Sequence, residues 1–490
     1  MSLGLAYEIA RGGLVANSIS SSVVSRNIAN VDNPNGARKT ANVVTSASGG
    51  VNVDSITNAI DAALFETAVG SNSKVGELSA ISSALSELEA AVQDPQSGLS
   101  VNGALVQLKS GLQAAAAAPQ DDNLARSLLS TAQSVAGNLN QAGAIVDKVR
   151  AGVDVDLVKD AGKLTELLAS FEAVNNEVVS GATLGRDVTD HIDKRNALLG
   201  EISHLVDLHS TLRGAQDMVL FVANGTTLFE TVPRKIAVDL GVPLQPGQPG
   251  GALRIDGIPF TGAQGAKLGG ALGGALQIRD VIAPSFGRQI DEVARGLIET
   301  FAEVDQSSAA SAPALAGLFT FSGGPGLPVA GVVVPGMARS IRVNPNGDPA
   351  QGGDLARLRD GNLSAPGNPS YHYNPSGATG FSGRFRQLAG DLPSARIFDA
   401  AAGLGTDKNL LQFAADSAGW LESKRASAVD ELQQKQVLSE RAAGAWHSAV
   451  GINLDEELTT LMSLEKSFQA SSRMISTVSA MFDALLQMAR

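Results

Sequence analysis

The chain has 490 residues, too many for one hydrophobic core, so two to four domains of roughly 100–200 residues are expected. Aromatic residues make up 4%, which disfavours an aromatic-lined pocket, and a net charge of -12 disfavours general binding to nucleic acid or to an anionic membrane. With no cysteine in the chain, disulfides, thiolate nucleophiles and Cys-ligated metal centres are excluded.

The first twenty-two residues lack a basic segment followed by an unbroken apolar run, so they do not read as a Sec-type signal peptide. No window approaches the ~18–20 apolar residues of a membrane span, and no membrane insertion is expected. Leu5, Ile9, Gly12, Ala16, Ile19 and Val23 recur at alternating spacings of four and three, which predicts a helix over 1–30 with a narrow, small-residue stripe. Asp32-Asn33-Pro34-Asn35-Gly36 ends it, because proline disfavours helix at the preceding residue and Asn-Gly favours a turn. An extended stretch carrying Gly49-Gly50 follows.

From about Ser55 to Asp207 the pattern is almost all helical, with breaks at Asp94-Pro95, Pro119 to Asp122, and Ser180 to Gly185. Asp121 or Asp122 is a candidate N-cap for the helix starting near Asn123. Between about Met218 and Asp280 the period changes to two, and Asn224-Gly225 is the strongest turn signal, so β-hairpins are expected there. A helix over about Ser285 to Gln306 follows. Residues 307–403 are rich in proline and glycine and hold β-prone runs at Val332-Val333-Val334 and Ile341-Arg342-Val343, which predicts an inserted β-rich outer domain with long loops. Helix resumes from about Asp407 to His447, and after Gly451 a last helix runs from Asn453 nearly to Arg490.

That last helix carries the most specific pattern. Leu461, Phe468, Ile475 and Phe482 are spaced by seven, and Leu464, Ser471, Val478 and Leu485 form a second series three residues on. Met474, Met481 and Met488 add a third row, so the stripe is wider than a two-stranded seam needs and suits more than one neighbour. Asn453 is the expected N-cap, with Asp455, Glu456 and Glu457 in the first turn where the helix dipole favours anions. Periodicity alone also fits an ordinary amphipathic helix packed on its own domain. The terminal position of both stripes favours two end helices that tie each other down.

At the two ends the sequence resembles the bacterial flagellar axial proteins, and among them the hook-associated protein 1 family of hook–filament junction subunits. Gly451-Ile452-Asn453-Leu454-Asp455-Glu456-Glu457 is similar to that family's GVNLDEE run. Phe468 to Thr477, then Met481-Phe482-Asp483-Ala484-Leu485-Leu486, resemble its closing YQASARVIST and MFDxLL segments. Ser25-Arg26-Asn27-Ile28-Ala29-Asn30 resembles the axial SNNIAN signature, with Asn33-Pro34-Asn35-Gly36 in place of the usual Thr-Pro-Gly-Tyr turn. Ile192 to Leu199 and Gly269 to Asp280 resemble interior motifs of the family.

The resemblance implies a mainly α fold with β insertions. Paired terminal helices (1–50 and 451–490) would form a coiled-coil-like core. A helical body (51–306 and 404–450) would surround it, and residues 307–403 would project outward. It implies a structural subunit exported unfolded without a cleaved signal, with four partners: hook protein, a neighbouring junction protein, copies of itself in a ring, and a cytosolic export chaperone on the C-terminal helix. Leu461, Leu464, Phe468, Met474, Ile475, Val478, Met481, Phe482 and Leu485 are the candidate interface, with Leu5, Ile9, Ala16, Ile19, Val23, Asn27 and Asn30 on the N-terminal helix. A flagellin or the other junction protein shares this terminal design, and a secreted flagellum-associated hydrolase is the alternative from a different class.

No catalytic, cofactor or metal site is expected. Five histidines are scattered, and His191 beside Asp190 and Asp193 reads as a solvated helix face. Ser71-Asn72-Ser73-Lys74 and Ser463-Leu464-Glu465-Lys466 match a Ser-x-x-Lys pattern without its supporting motifs. Gly269 to Gly274 lacks the P-loop Lys-Ser/Thr and reads as turns and close packing.

Overall fold

A computed structural model describes residues 3–46, 49–93, 100–240, 243–308 and 310–488. The chain is mainly helical, with small β-sheets and long helices at both ends. Helix α1 (Leu3–Ala29) ends where expected, and Asn33 closes the turn by accepting Asn35 N–H on its side chain and Gly36 N–H on its carbonyl. Strands β1 (Lys39–Thr45) and β2 (Val51–Asn58) then pair antiparallel, with a bulge between Asn42 and Val43. A two-stranded ribbon is marginal alone, and this one lies along α1. The approach is close: a Cβ added to Gly12 would sit 3.0 Å from the Val51 carbonyl oxygen.

The body follows as α2 (Ala62–Gln93), α3 (Val101–Ala117), α4 (Asp122–Thr183) and α5 (Thr189–Leu205). The break expected at Asp94-Pro95 lies outside the described residues. Asp121 is the N-cap of α4, accepting Asn123 N–H at 2.8 Å. At 62 residues α4 is about 90 Å long and forms the spine of the molecule. Its first half, including Leu128, Leu139 and Val146, packs in one core. Its second half, including Leu157, Leu164 and Phe171, packs in another.

The second core is closed by β-structure. Strands β3 (Leu208–Leu212), β4 (Met218–Val222), β5 (Thr227–Glu230) and β6 (Val232–Pro233) form one sheet in that order. Strands β7 (Ile236–Val238), β8 (Leu253–Ile255) and β9 (Ile258–Phe260) form another. Gly225 turns β4 into β5 with φ of 85°, and Thr226 N–H donates to the Asn224 side chain. The hairpin region is shorter than the period-two reading: 262–277 folds as α6 (Gly262–Ala266) and α7 (Gly270–Gln277). The glycines of α7 serve helix packing, since a Cβ on Gly274 would lie 2.4 Å from the Glu77 carbonyl oxygen of α2. A π-helical turn (Ile278–Ile282) leads into α8 (Ala283–Thr300), which ends earlier than the pattern suggested.

Residues 307–403 correct the sequence reading. Their strands β10 (Phe319–Thr320), β11 (Arg342–Val343) and β12 (Ala395–Ile397) hold two or three residues each. Between them lie short helices α9 (Met337–Ser340), α10 (Arg357–Asp360) and α11 (Gly383–Asp391) and several 3-10 turns. Asn344, Asp348, Asn368 and Asp399 each start a 3-10 turn by accepting the N–H two residues on, the local bond that competes with a strand ladder. Phe319, Met337, Ile341, Phe385 and Phe398 are buried in the same core as Leu105, Leu128 and Leu139, so the segment is a lid on the helices rather than a β-rich outer domain. Strand β13 (Asp407–Asn409), paired with β12, starts α12 (Leu410–Val450), which packs along α2. Gly451 separates it from α13 (Leu454–Met488).

Candidate assembly surface

Asn453 starts α13, its side chain accepting Asp455 N–H at 3.0 Å. The helix returns antiparallel along α1: Asn17 donates to Ser467 at 2.9 Å, and Asn27, ten residues on, donates to Glu457, ten residues back. Ser471, the polar break in the heptads, faces Gly13, where an added Cβ would lie 3.4 Å from the hydroxyl. The same register puts Leu3 beside Met481, so Phe482, Leu485 and Leu486 extend past the described start of α1.

Of the residues singled out by sequence on α13, Val478 is buried, and Leu461, Leu464 and Ile475 are half-buried. Phe468, Met474, Met481, Phe482 and Leu485 remain exposed, with Phe468 at 47% and Met481 at 53%. On α1, Ala16, Val23 and Asn27 are buried, while Leu5, Ile9 and Ile19 are half-buried, as is Asn30 in the turn just past its end. The structure therefore brings the two sets together along one line and leaves both flanks of the α13 stripe in solvent. Burying a side chain of this kind contributes about 1.5–3 kcal/mol, so five uncovered ones are a sizeable unrealised gain.

Beneath the pair is a buried polar joint that the sequence reading missed. Glu457, 1% exposed, accepts from Asn27 at 3.1 Å and from the Arg38 guanidinium at 2.7 Å. The Asn27 side chain also donates to the Lys39 carbonyl and accepts the Lys39 N–H, holding β1 against α1. The Lys39 ammonium, on a buried side chain, then reaches Asp193 at 2.8 Å and Asp190 at 2.9 Å on α5. Asn58 from β2 donates to the other Asp193 oxygen at 2.7 Å, and Arg26 pairs with Asp187 at 2.8 Å. The joint thus links α1, β1, β2, α5 and α13.

Electrostatics match this arrangement. Burial works against the Lys39 ammonium, but its bonds to Asp193 and Asp190 outweigh burial and hold its pKa above the usual lysine value. Burial pushes the Asp193 carboxyl up, and Lys39 offsets only part of that. For Asp187, burial is outweighed by hydrogen bonds from Thr189 and Arg26, which hold the carboxyl below its ordinary value. Asp193 is therefore a buried partner and not part of a solvated face. The available signal lay in the motifs themselves, since Asn27, Asp193 and Glu457 all fall in segments already singled out.

Among the described residues, no group of three His, Asp or Glu is placed to hold a metal ion, and no helix is long and apolar enough to cross a membrane. A cavity of about 460 Å³ lies where Phe65, Val69, Leu199 and Leu208 meet Glu66 and His209.

Two segments of the chain are similar to known protein families. Residues 85–314 match the model for the flagellar hook-associated protein FlgK helical domain. Residues 448–488 match the model for the flagellar basal body rod FlgEFG protein C-terminal. No curated protein matches. Among solved structures, the flagellar hook junction protein FlgK from Burkholderia pseudomallei is similar at 19% identity and a TM-score of 0.43, over 52% of this chain and 47% of that one. The match spans about half the length of that protein.

Paired terminal helices rooted on a long helical body, with a C-terminal segment similar to that of flagellar rod proteins, have the layout of a flagellar axial protein. Within that class, residues 85–314, just under half of the chain, are similar to the helical domain of the flagellar hook-associated protein FlgK.

Proposed function

We propose that this chain is a structural subunit of the bacterial flagellum that forms the junction between hook and filament and assembles through its terminal helices. The observation that carries this reading is the apolar stripe of α13, which is wider than α1 covers and leaves Phe468, Met474 and Met481 exposed beside it. Leu461, Leu464, Phe468, Met474, Ile475, Val478, Met481, Phe482 and Leu485 form the interface, with Leu5, Ile9, Ala16, Ile19, Val23, Asn27 and Asn30 as the inner partner. Copies of the chain pack side by side in a ring, between hook protein on one face and a neighbouring hook-associated junction protein on the other. Before export, a cytosolic chaperone covers the same stripe, whose methionines adapt to more than one surface. The chain then works outside the cell, reached through the flagellar type III apparatus.

The reading is supported by the match of 85–314 to the FlgK helical domain, which sets the chain apart from flagellin within the axial class. Deletion of the gene followed by electron microscopy is the test. Hooks without filaments, with flagellin shed into the medium, are expected; normal filaments on the deletion strain would contradict it.

A further inference from the structure

We propose that Glu457 is the positioning residue of the terminal pair: the joint it completes anchors the root of α1 and α13, and order spreads from there to the tips. This goes beyond the junction reading and is decided on the free chain.

Three observations converge. First, the Glu457 carboxylate, held in α13, bonds two other segments at once, through Asn27 of α1 and through Arg38 at the start of the hairpin. Asn27 has both its side-chain atoms committed, to Glu457 and to the Lys39 backbone, so none of these groups can move without unpairing another. Second, α1 packing is densest toward the root, where Val23, Val24 and Asn27 are buried in close succession. On α13, Val478 is the buried large apolar side chain, and exposure is greatest over the last described residues, 66% at Leu486 and 83% at Met488. Third, a helix pair with so little apolar cover at its tip cannot hold itself by propensity. Removing the Glu457 carboxylate, in contrast, leaves the buried Asn27 side-chain amide short of an acceptor, while Arg38, partly exposed, keeps Glu456. The joint is therefore the strong point, and the tip is free to wait for a partner.

Hydrogen exchange on the full-length monomer tests the proposal. Amides of α13 near 458–464 and of α1 near 20–29 should be more protected than those near 478–488 and 3–10. With Glu457→Ala, exchange should speed up by about tenfold or more along both helices while the middle of α4 stays unchanged. Met481→Ser, at the tip, should leave the root as it was. Asn27→Ala combined with Glu457→Ala should add little beyond Glu457→Ala alone, because both remove one network. If Glu457→Ala fails to fold, Glu457→Gln keeps the shape and an acceptor for Arg38, and should show the same root-centred pattern in weaker form. Uniform protection along the wild-type pair, or a Glu457 effect confined to the first turn of α13, would overturn the idea.

Discussion

Asp291 and Lys39 are both charged groups with almost no solvent contact, and their surroundings treat them differently. Lys39 meets two carboxylates, and its charge is held. Asp291 accepts only backbone N–H groups, from Gly336 and Ala338, each at 2.8 Å, and these tie α9 to α8. Burial, with Asp147 and Glu292 nearby, pushes its pKa to about 6 despite those two bonds. A carboxyl raised in the folded state favours folding when protonated. Its contribution is therefore full below about pH 4 and is lost as pH rises through 6, at a cost of about 3 kcal/mol. The difference in Tm between the wild type and Asp291→Asn should accordingly widen in favour of the wild type as pH falls from 7 to 4. A constant difference across that window would show that Asp291 does not titrate there.

Among the elements, the glycines separate two roles that composition merges. Gly274 of α7 sits where a Cβ would strike the Glu77 carbonyl, so Gly274→Ala should destabilise the chain by about 1–3 kcal/mol in denaturant melts. Gly137, exposed on α4 with nothing within 4 Å of an added Cβ, should gain about 0.5–1 kcal/mol on change to Ala. If Gly274→Ala were neutral or stabilising, the close helix approach would be refuted. Much of this layer was legible in the sequence. Helical periodicity located α1, the long helices of the body, α12 and α13, and Asn224-Gly225 located its hairpin. The lid at 307–403 was not legible, because runs of two or three β-prone residues look alike whether they join a ladder or drop side chains onto helices. Lys39 and Asp193 were missed because they meet across 154 positions, and no local period records such a pairing.

The whole molecule is an unequal assembly. A body with two buried cores carries, on one polar joint, a pair of helices whose outer faces lack cover. Nothing in the body needs that apolar surface, so changes on it should spare the fold. Polar replacement of Phe468 and Ile475 together should leave the melting of the body within about 1 kcal/mol of the wild type, since Phe468 is exposed and Ile475 half-buried. The central claim is that this stripe exists for neighbouring subunits. Its most direct test is complementation of the deletion strain with Phe468→Ser, Ile475→Ser, counting filaments on hooks by electron microscopy. The account predicts folded, secreted protein and bare hooks; filaments at the wild-type number would contradict it.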